Sequence, residues 1–282
     1  MNLPSLAVTG STGALGQQVA RALSAAGVPQ RLLARCPGRT PVLRGAVAVP
    51  FTYADRELAL QALEDVTTVF MVSASEAADR VEQHATFVDA AAEAGVRHIV
   101  YTSFQGASPT CTFTLGRDHW ETEERIRATG MTSTFLRNSF YLDFLVGLGA
   151  DDGVIRGPAG SGRVAAVARS DIARCATAVL LAPEDHAGAT YELTGPEALS
   201  FDDVARVVAA RTGRRVSYHA ETVEEAYASR RRWDAPQWQY DAWVSTYTAI
   251  AAGELAEVTD HVQRLTGREP LSLRALLDEG DG

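Results

Sequence analysis

Short apolar runs alternate with longer amphipathic stretches through the first two thirds of the chain. The runs are Leu6-Ala7-Val8, Arg31-Leu32-Leu33-Ala34, Ala46-Val47-Ala48-Val49, Val69-Phe70-Met71-Val72 and His98-Ile99-Val100-Tyr101. Continuous rather than alternating hydrophobicity over so few residues suits strands covered on both faces, so these read as buried parallel strands. Between them, Leu15 to Ala26 carries Leu15, Val19, Ala22 and Leu23 on one helical face, and Val81 to Ala94 ends before Gly95. The order is that of repeated βαβ units. A helix over Arg117 to Thr129 stops before Gly130, and Ser133-Thr134-Phe135-Leu136-Arg137 supplies a sixth strand.

Beyond Asn138 the texture changes. Gly153, Gly157, Pro158, Gly160 and Gly162 crowd together and mark a loop region. Ser170, before Asp171-Ile172-Ala173, and Ser200, before Phe201-Asp202-Asp203, read as helix N-caps followed by acidic residues that suit the helix dipole. Tyr191-Glu192-Leu193-Thr194 reads as a strand, and Pro236 to Ala251, with Trp238, Trp243 and Tyr247, as a helix. The expected class is α/β: a Rossmann doubly wound parallel sheet with a smaller C-terminal α/β substrate lobe. Residues 1–150 form the dinucleotide-binding domain, with strands returning to it from 160–195, and 151–282 mainly the lobe; the two are not strictly separable in sequence.

Composition narrows the class. Of 282 residues, 46% are hydrophobic and 22% charged, which fits a globular chain and neither a disordered nor a fibrous one. A formal charge of -9 opposes the basic footprint of nucleic-acid binding, so no direct nucleic-acid partner is expected. Cys36, Cys111 and Cys175 are odd in number and lack metal-ligand spacing. They suggest a reducing, cytoplasmic setting, no metal site and no thiol nucleophile. The first apolar strand follows within a few residues of Met1 with no leader-like segment, and no run approaches the roughly 18 apolar residues of a spanning helix. A soluble protein is expected, without a membrane partner.

The strongest chemical signal is Thr9-Gly10-Ser11-Thr12-Gly13-Ala14-Leu15-Gly16-Gln17, a G-x-x-G-x-x-G spacing between the first strand and the first helix. Glycine permits the tight turn and close backbone approach, and the helix N-terminus offers amide donors and partial positive charge to a pyrophosphate. The flanking strand and helix are the context such a triplet needs. An acidic residue at the end of the second strand would bind a ribose 2'-hydroxyl, whereas arginine accommodates a 2'-phosphate. Arg35 stands there, with Arg39 nearby and no acidic neighbour. NADP(H) is therefore expected over NAD(H), unless both arginines are solvated surface charge.

These residues resemble the NmrA-like group of atypical short-chain dehydrogenases, including its NAD(P)H:quinone oxidoreductase type 2 branch. The likeness covers Gly10 to Gly16, Ala94 to Ser103, the His119 to Glu124 helix, Leu136-Arg137-Asn138-Ser139-Phe140-Tyr141, Val167 to Ala173 and Tyr191 to Pro196. It implies an NADP(H)-binding Rossmann domain and a C-terminal lobe closing a substrate cleft above the nicotinamide. Some members reduce quinones or related electrophiles, and others sense NADP without performing chemistry. Gly10, Ser11, Thr12, Gly13, Ala14, Leu15 and Gly16 match the family's pyrophosphate loop and Arg35 its 2'-phosphate contact. Ser73 and Ala74 match the loop after strand four, and Thr102, Ser103 and Phe104 the nicotinamide side. Asn138, Phe140 and Tyr141 border the cleft. One departure is Thr52-Tyr53-Ala54-Asp55, where the family often has aspartate next to tyrosine; Thr52 is left as an adenine contact. A larger one is the missing Tyr-x-x-x-Lys pair of typical short-chain dehydrogenases.

Two residues compete for the proton-handling role. His119 falls where related reductases carry a catalytic lysine, and an imidazole there could protonate a carbonyl or quinone oxygen, or merely orient the substrate through a hydrogen bond. The Tyr141 phenol could hydrogen-bond the substrate oxygen, although its ordinary acidity limits acid-base work unless a cation assists; otherwise it is core. Tyr101, inside an apolar strand, reads as core. Phe104, Phe113, Trp120, Phe140 and Phe144 are aromatic cleft walls or ordinary core. Asp118, Glu121, Glu123 and Glu124 read as a solvated helix face, and Arg230-Arg231-Arg232-Trp233 as a solvated segment or a lid for an anionic substrate. Quinone reduction tolerates the missing pair, because hydride transfer leaves an aromatic oxyanion that solvent can protonate. The leading expectation is an NADP(H)-dependent reductase of a quinone or conjugated carbonyl, with an aromatic small-molecule substrate. The alternatives are an NADP redox sensor with a regulatory protein partner and a tailoring enzyme for an aromatic polyketide-like substrate; a homodimer is open.

Overall fold

The computed structural model describes residues 3–279. Among them the strands are β1 (Leu6–Val8), β2 (Gln30–Ala34), β3 (Ala46–Pro50), β4 (Thr68–Met71), β5 (His98–Phe104), β6 (Thr132–Asn138), β7 (Val154–Gly157), β8 (Thr190–Leu193) and β9 (Ser217–Ala220). The helices are α1 (Ala14–Ala25), α2 (Arg56–Leu63), α3 (Arg80–Glu93), α4 (Thr114–Ala128), α5 (Leu142–Gly147), α6 (Arg169–Leu181), α7 (Phe201–Thr212), α8 (Val223–Arg230), α9 (Gln237–Ala251), α10 (His261–Thr266) and α11 (Leu273–Glu279). No helix among the described residues is long and apolar enough to cross a membrane.

Seven strands form one sheet in the order β3-β2-β1-β4-β5-β6-β8, and the pairs β1–β2, β1–β4, β2–β3 and β4–β5 are parallel. Parallel neighbours need a crossover, which the intervening helices supply. The chain winds outward from β1 to β3, then restarts on the other side of β1 with β4. That reversal opens a crevice at the carboxyl ends of β1 and β4.

The chain divides into two compact units that interleave in sequence. The first comprises Met1–Ser103, Asp118–Arg137 and Ile172–Tyr191, and the second Phe104–Arg117, Asn138–Asp171 and Glu192–Gly282. In the first, Ala7, Leu33, Val69, Met71, Ile99 and Tyr101 of the sheet pack with Phe87, Val88 and Ala91 of α3 and Ile126 of α4. In the second, Phe104, Leu142, Ile155, Val164, Phe201, Val204, Tyr247 and Ile250 share a core.

Several local expectations change in the second unit. The glycine-rich stretch contains β7, which pairs in parallel with β9. Gly157 is required there because a Cβ would lie 2.1 Å from Cδ1 of Tyr247. Ser200 caps α7 through a full capping box with Asp203. Ser170 instead lies inside α6, and its Oγ is buried without a hydrogen-bond partner among the described residues. The first N–H of α6 donates to Asp143 Oδ2 at 2.9 Å. A cap drawn from so far along the chain leaves no local sequence signal.

The acidic run on α4 is not uniformly solvated. Glu123 is fully buried and accepts hydrogen bonds from Ser103 Oγ (2.5 Å), Arg137 Nε and Nη2 (2.8 and 2.7 Å) and Arg127 Nη2 (3.0 Å). Its carboxylate therefore joins α4 to β5 and β6, while Arg127 also lies over the Phe135 ring at 4.6 Å. Breaking a buried ion pair by removing one partner is costly, so Glu123→Leu is expected to lower unfolding stability by about 3 kcal/mol. Urea unfolding with an unchanged m value checks this; a loss below about 1 kcal/mol would mean that solvent already screens the carboxylate.

Candidate cofactor site and its buried support

The turn between β1 and α1 is set by steric necessity. Gly10 has φ +60°, and a Cβ on it would meet Val72 Cβ at 3.0 Å. A Cβ on Gly16 would lie 2.2 Å from Gly10 O and 3.0 Å from Thr9 O, so the first turn of α1 packs directly on the backbone of the preceding turn. Gly13 N donates to Gly10 O at 2.8 Å, and no side chain caps the N-terminus of α1. Thr12, Gly13 and Ala14 are exposed while Ser11, Leu15 and Gly16 are buried. A backbone cradle at an uncapped helix N-terminus fits a pyrophosphate.

Ser11 Oγ donates to Leu33 O at 3.0 Å, which ties this turn to the end of β2. Arg35 follows that end. It is exposed and makes no ion pair among the described residues, and Arg39, also exposed, closes the 3-10 turn Pro37–Arg39. The chain contains no lysine, so any cation answering a phosphate is an arginine. These features fit a 2'-phosphorylated dinucleotide.

The opposite wall is the segment after β4. Val72 N donates to Thr9 Oγ1 (2.8 Å), Ser73 N to Thr102 Oγ1 (2.8 Å) and Ala74 N to His84 Nε2 (2.9 Å). Thr52 is half-buried and its carbonyl accepts from Asp55 N at 3.4 Å, while the Asp55 side chain caps α2 through Leu58 N. Tyr53 fills the place beside it: its hydroxyl donates to Val72 O, which can only accept, and accepts from Thr9 Oγ1 at 2.7 Å. Burial holds both Tyr53 and Tyr101 above the ordinary phenol range, so both are neutral.

His119 does not present a titrating imidazole. It is buried, and its Nε2 faces Arg80 Nη2 at 3.0 Å. A guanidinium only donates, so Nε2 accepts and the proton resides on Nδ1, which donates to the Tyr101 hydroxyl at 2.9 Å. Burial first, then the Arg80 charge, hold His119 well below the ordinary histidine range. His84 behaves alike: with Nε2 accepting from Ala74, Nδ1 donates to Thr122 Oγ1 at 2.8 Å, and burial and Arg80 depress it too. Ser103 is engaged by Glu123. The sequence reading missed Thr9, Tyr53, Arg80 and His84. The available signal was the i, i+4 pair Arg80 and His84 on the face of α3 that also carries the buried Phe87, Val88 and Ala91.

The remaining candidates, Trp120 apart, fall in the second unit. Phe104 packs against Phe113 (4.8 Å between centroids) and Phe140 (5.3 Å), so all three form an aromatic cluster. Asn138 is buried, and its Oδ1 has no hydrogen-bond partner among the described residues. The Tyr141 ring is half-buried beneath the Arg169 guanidinium at 5.0 Å. Phe144 is exposed and Trp120, in the first unit, half-buried. The three adjacent arginines are not equivalent: Arg230 is buried, pairs with Glu221 at 2.9 Å and lies over Tyr247, whereas Arg231 and Arg232 face solvent. No group of three potential metal ligands occurs among the described residues.

Fold and crevice define a dinucleotide-binding protein of the Rossmann class. More narrowly, the chain belongs to the NmrA-like family, which matches residues 4–232. It is 32% identical over 266 residues to an NAD(P)H azoreductase of Xenophilus azovorans, covering 93% of this chain and 92% of that one. The NADPH-dependent quinone oxidoreductase of Escherichia coli, solved with NADPH, superposes with a TM-score of 0.89 at 28% identity, covering 98% of this chain and 100% of the other. Triphenylmethane reductase of a Citrobacter species, solved with NADP(H), gives a TM-score of 0.87 at 31% identity over 98% and 99% of the two chains.

Two outcomes follow from this geometry. Gly16→Ala drives a methyl group into Gly10 O, and the resulting displacement of α1 is expected to weaken NADPH binding by at least about tenfold in calorimetry. His84 and His119 have folded-state affinities for protons below those of the unfolded chain, whose histidines titrate near 6.5. The unfolded state therefore binds more protons as pH falls below that value. Their contribution to stability is constant above pH 6.5 and declines below it, so the thermal midpoint should drop between about pH 6.5 and 5, and His84→Gln should flatten the slope. A slope unchanged by that substitution would remove His84 from the balance.

Proposed function

We propose that this protein is an NADPH-dependent reductase that delivers hydride to a quinone or another conjugated carbonyl. The observation that carries the reading is the glycine cradle at the switch point, tied by Ser11 to the end of β2, where the exposed Arg35 follows. Relatives at about 30% identity over nearly the whole chain are named reductases, which leaves the sensing and tailoring alternatives unfavoured. The chemistry supplied by NADPH when bound is hydride donation.

The backbone from Gly10 through Ser11, Thr12, Gly13, Ala14 and Leu15 to Gly16 holds the pyrophosphate, and Arg35 the 2'-phosphate. Ser73, Ala74 and Thr102 form the wall beyond it. Asn138, with its buried free acceptor, and Phe140 meet the substrate. His119 keeps an orienting role, because its Nε2 is committed to accepting from Arg80 and has no proton to release. Tyr141 hydrogen-bonds the developing oxyanion, with the Arg169 guanidinium over its ring. Such modest proton handling suffices for a quinone, whose reduced oxyanion is delocalised and takes its proton from solvent, while positioning supplies the acceleration.

Steady-state oxidation of NADPH with a panel of quinones and enones tests this function. Turnover is expected with NADPH in preference to NADH. Arg35→Ala should raise KM for NADPH by about tenfold or more, the size of a lost charge-assisted phosphate contact, and change NADH kinetics by less than about twofold. A folded protein that binds NADPH yet reduces no member of the panel would overturn the proposal.

A further inference from the structure

Where β4 ends, the chain leaves the sheet, and its backbone groups lose their ladder partners. In most proteins such groups turn to water or to neighbouring backbone. Here five of the six backbone N–H and C=O groups of residues 72–74 are bound by side chains instead. Val72 N and O engage Thr9 Oγ1 and the Tyr53 hydroxyl, Ser73 N engages Thr102 Oγ1, Ala74 N engages His84 Nε2, and Ala74 O accepts from Arg80 Nε at 3.0 Å. The five side chains come from the ends of β1 and β3, from α3 and from β5. Their common target is the segment that touches Gly10, whose Cβ would meet Val72 at 3.0 Å.

The α3 members of this clamp are themselves fixed from behind. Arg80, buried, spends its other nitrogens on Asp118 Oδ2 (3.1 Å) and His119 Nε2 (3.0 Å). His84 donates to Thr122 Oγ1, which donates in turn to Asp118 O at 2.7 Å. The hydrogen bonds of Arg80, His84 and Thr122 thus run in one consistent direction, each from donor to acceptor. A buried polar network that is fully satisfied confers rigidity, whereas aliphatic side chains would have filled the same volume without specifying where Ala74 lies.

We propose that Arg80 and His84 are positioning residues of the cofactor site, fixing the Ser73-Ala74 backbone as a preformed wall against which NADPH docks. This rests on the reading of the crevice as an NADPH site. Neither residue touches the cofactor; each acts through a peptide group, removing an ordering cost that binding would otherwise incur.

The test compares full-length His84→Leu, His84→Gln, Arg80→Lys and Thr102→Val with the wild type, using calorimetric Kd for NADPH, steady-state kinetics and thermal midpoints. His84→Leu strands the Ala74 N–H and should weaken NADPH binding by about tenfold. His84→Gln, whose amide oxygen can accept from that N–H, should stay within about threefold of wild type despite a comparable loss of thermal midpoint. Arg80→Lys cannot span three acceptors and should behave like His84→Leu. Thr102→Val, nearly isosteric and therefore safe for folding, should weaken NADPH in the same sense by freeing Ser73 N. In turnover the loss should fall on KM for NADPH, with KM for the quinone unchanged within about twofold. A purely structural role would lower midpoints and leave Kd alone; wild-type affinity in both His84→Leu and Thr102→Val, or no difference between His84→Leu and His84→Gln, overturns the proposal. The calorimetric arm is independent of turnover, so a wild type that binds NADPH but reduces nothing defeats the reductase reading while the clamp is still decided by Kd.

Discussion

The close approach of α1 to the backbone of the turn before it governs everything else in the cofactor site. With Gly10 O only 2.2 Å from where a Gly16 Cβ would stand, helix and turn share one small volume, and a side chain at position 16 would have to move the helix. That approach fixes where the uncapped N-terminus of α1 points. It also fixes how near Val72 comes to Gly10, and hence where the segment after β4 must run. The topological reversal between β1 and β4 supplies the crevice; the glycines determine its width.

A narrow crevice between two strand ends exposes backbone groups that the sheet cannot satisfy, and the protein answers with buried polar side chains. Arg80, His84, His119, Tyr101 and Thr122 would each be expensive to bury alone. Together they are affordable because every donor meets an acceptor, and because both histidines remain neutral. The same burial, with the Arg80 charge, disfavours the protonated form of His119. In this structure the ring is held neutral, with Nε2 accepting from Arg80 and Nδ1 donating to Tyr101.

This division explains how a member of the NmrA-like family without the Tyr-x-x-x-Lys pair and without any lysine remains suited to reduction. An acceptor that stabilises its own negative charge asks the protein for orientation more than for a proton. The second unit contains an aromatic cluster of Phe104, Phe113 and Phe140, the buried Asn138 acceptor and a tyrosine beneath an arginine. That unit also buries one ion pair, Arg230–Glu221.

How much of this was legible in the amino-acid order depends on the range of the physics involved. Strands β1 to β5, helix α1 and the glycine turn were readable because buried parallel strands, amphipathic helices and left-handed or crowded glycines impose patterns within a few residues. The position of Arg35 immediately after a strand was readable for the same reason. What could not be read was pairing across the fold. Glu123 looked like its solvated neighbours until Arg137 on β6 met it, Ser170 looked like a cap until Asp143 took that role, and Gly157 looked like loop until the Tyr247 ring filled the space above it. His119 could have been an acid or a strut with equal justice from its neighbours in the chain. Its state followed from a guanidinium 39 residues away, a partner that nothing in local sequence can specify because burial and hydrogen-bond direction exist only once the chain has folded.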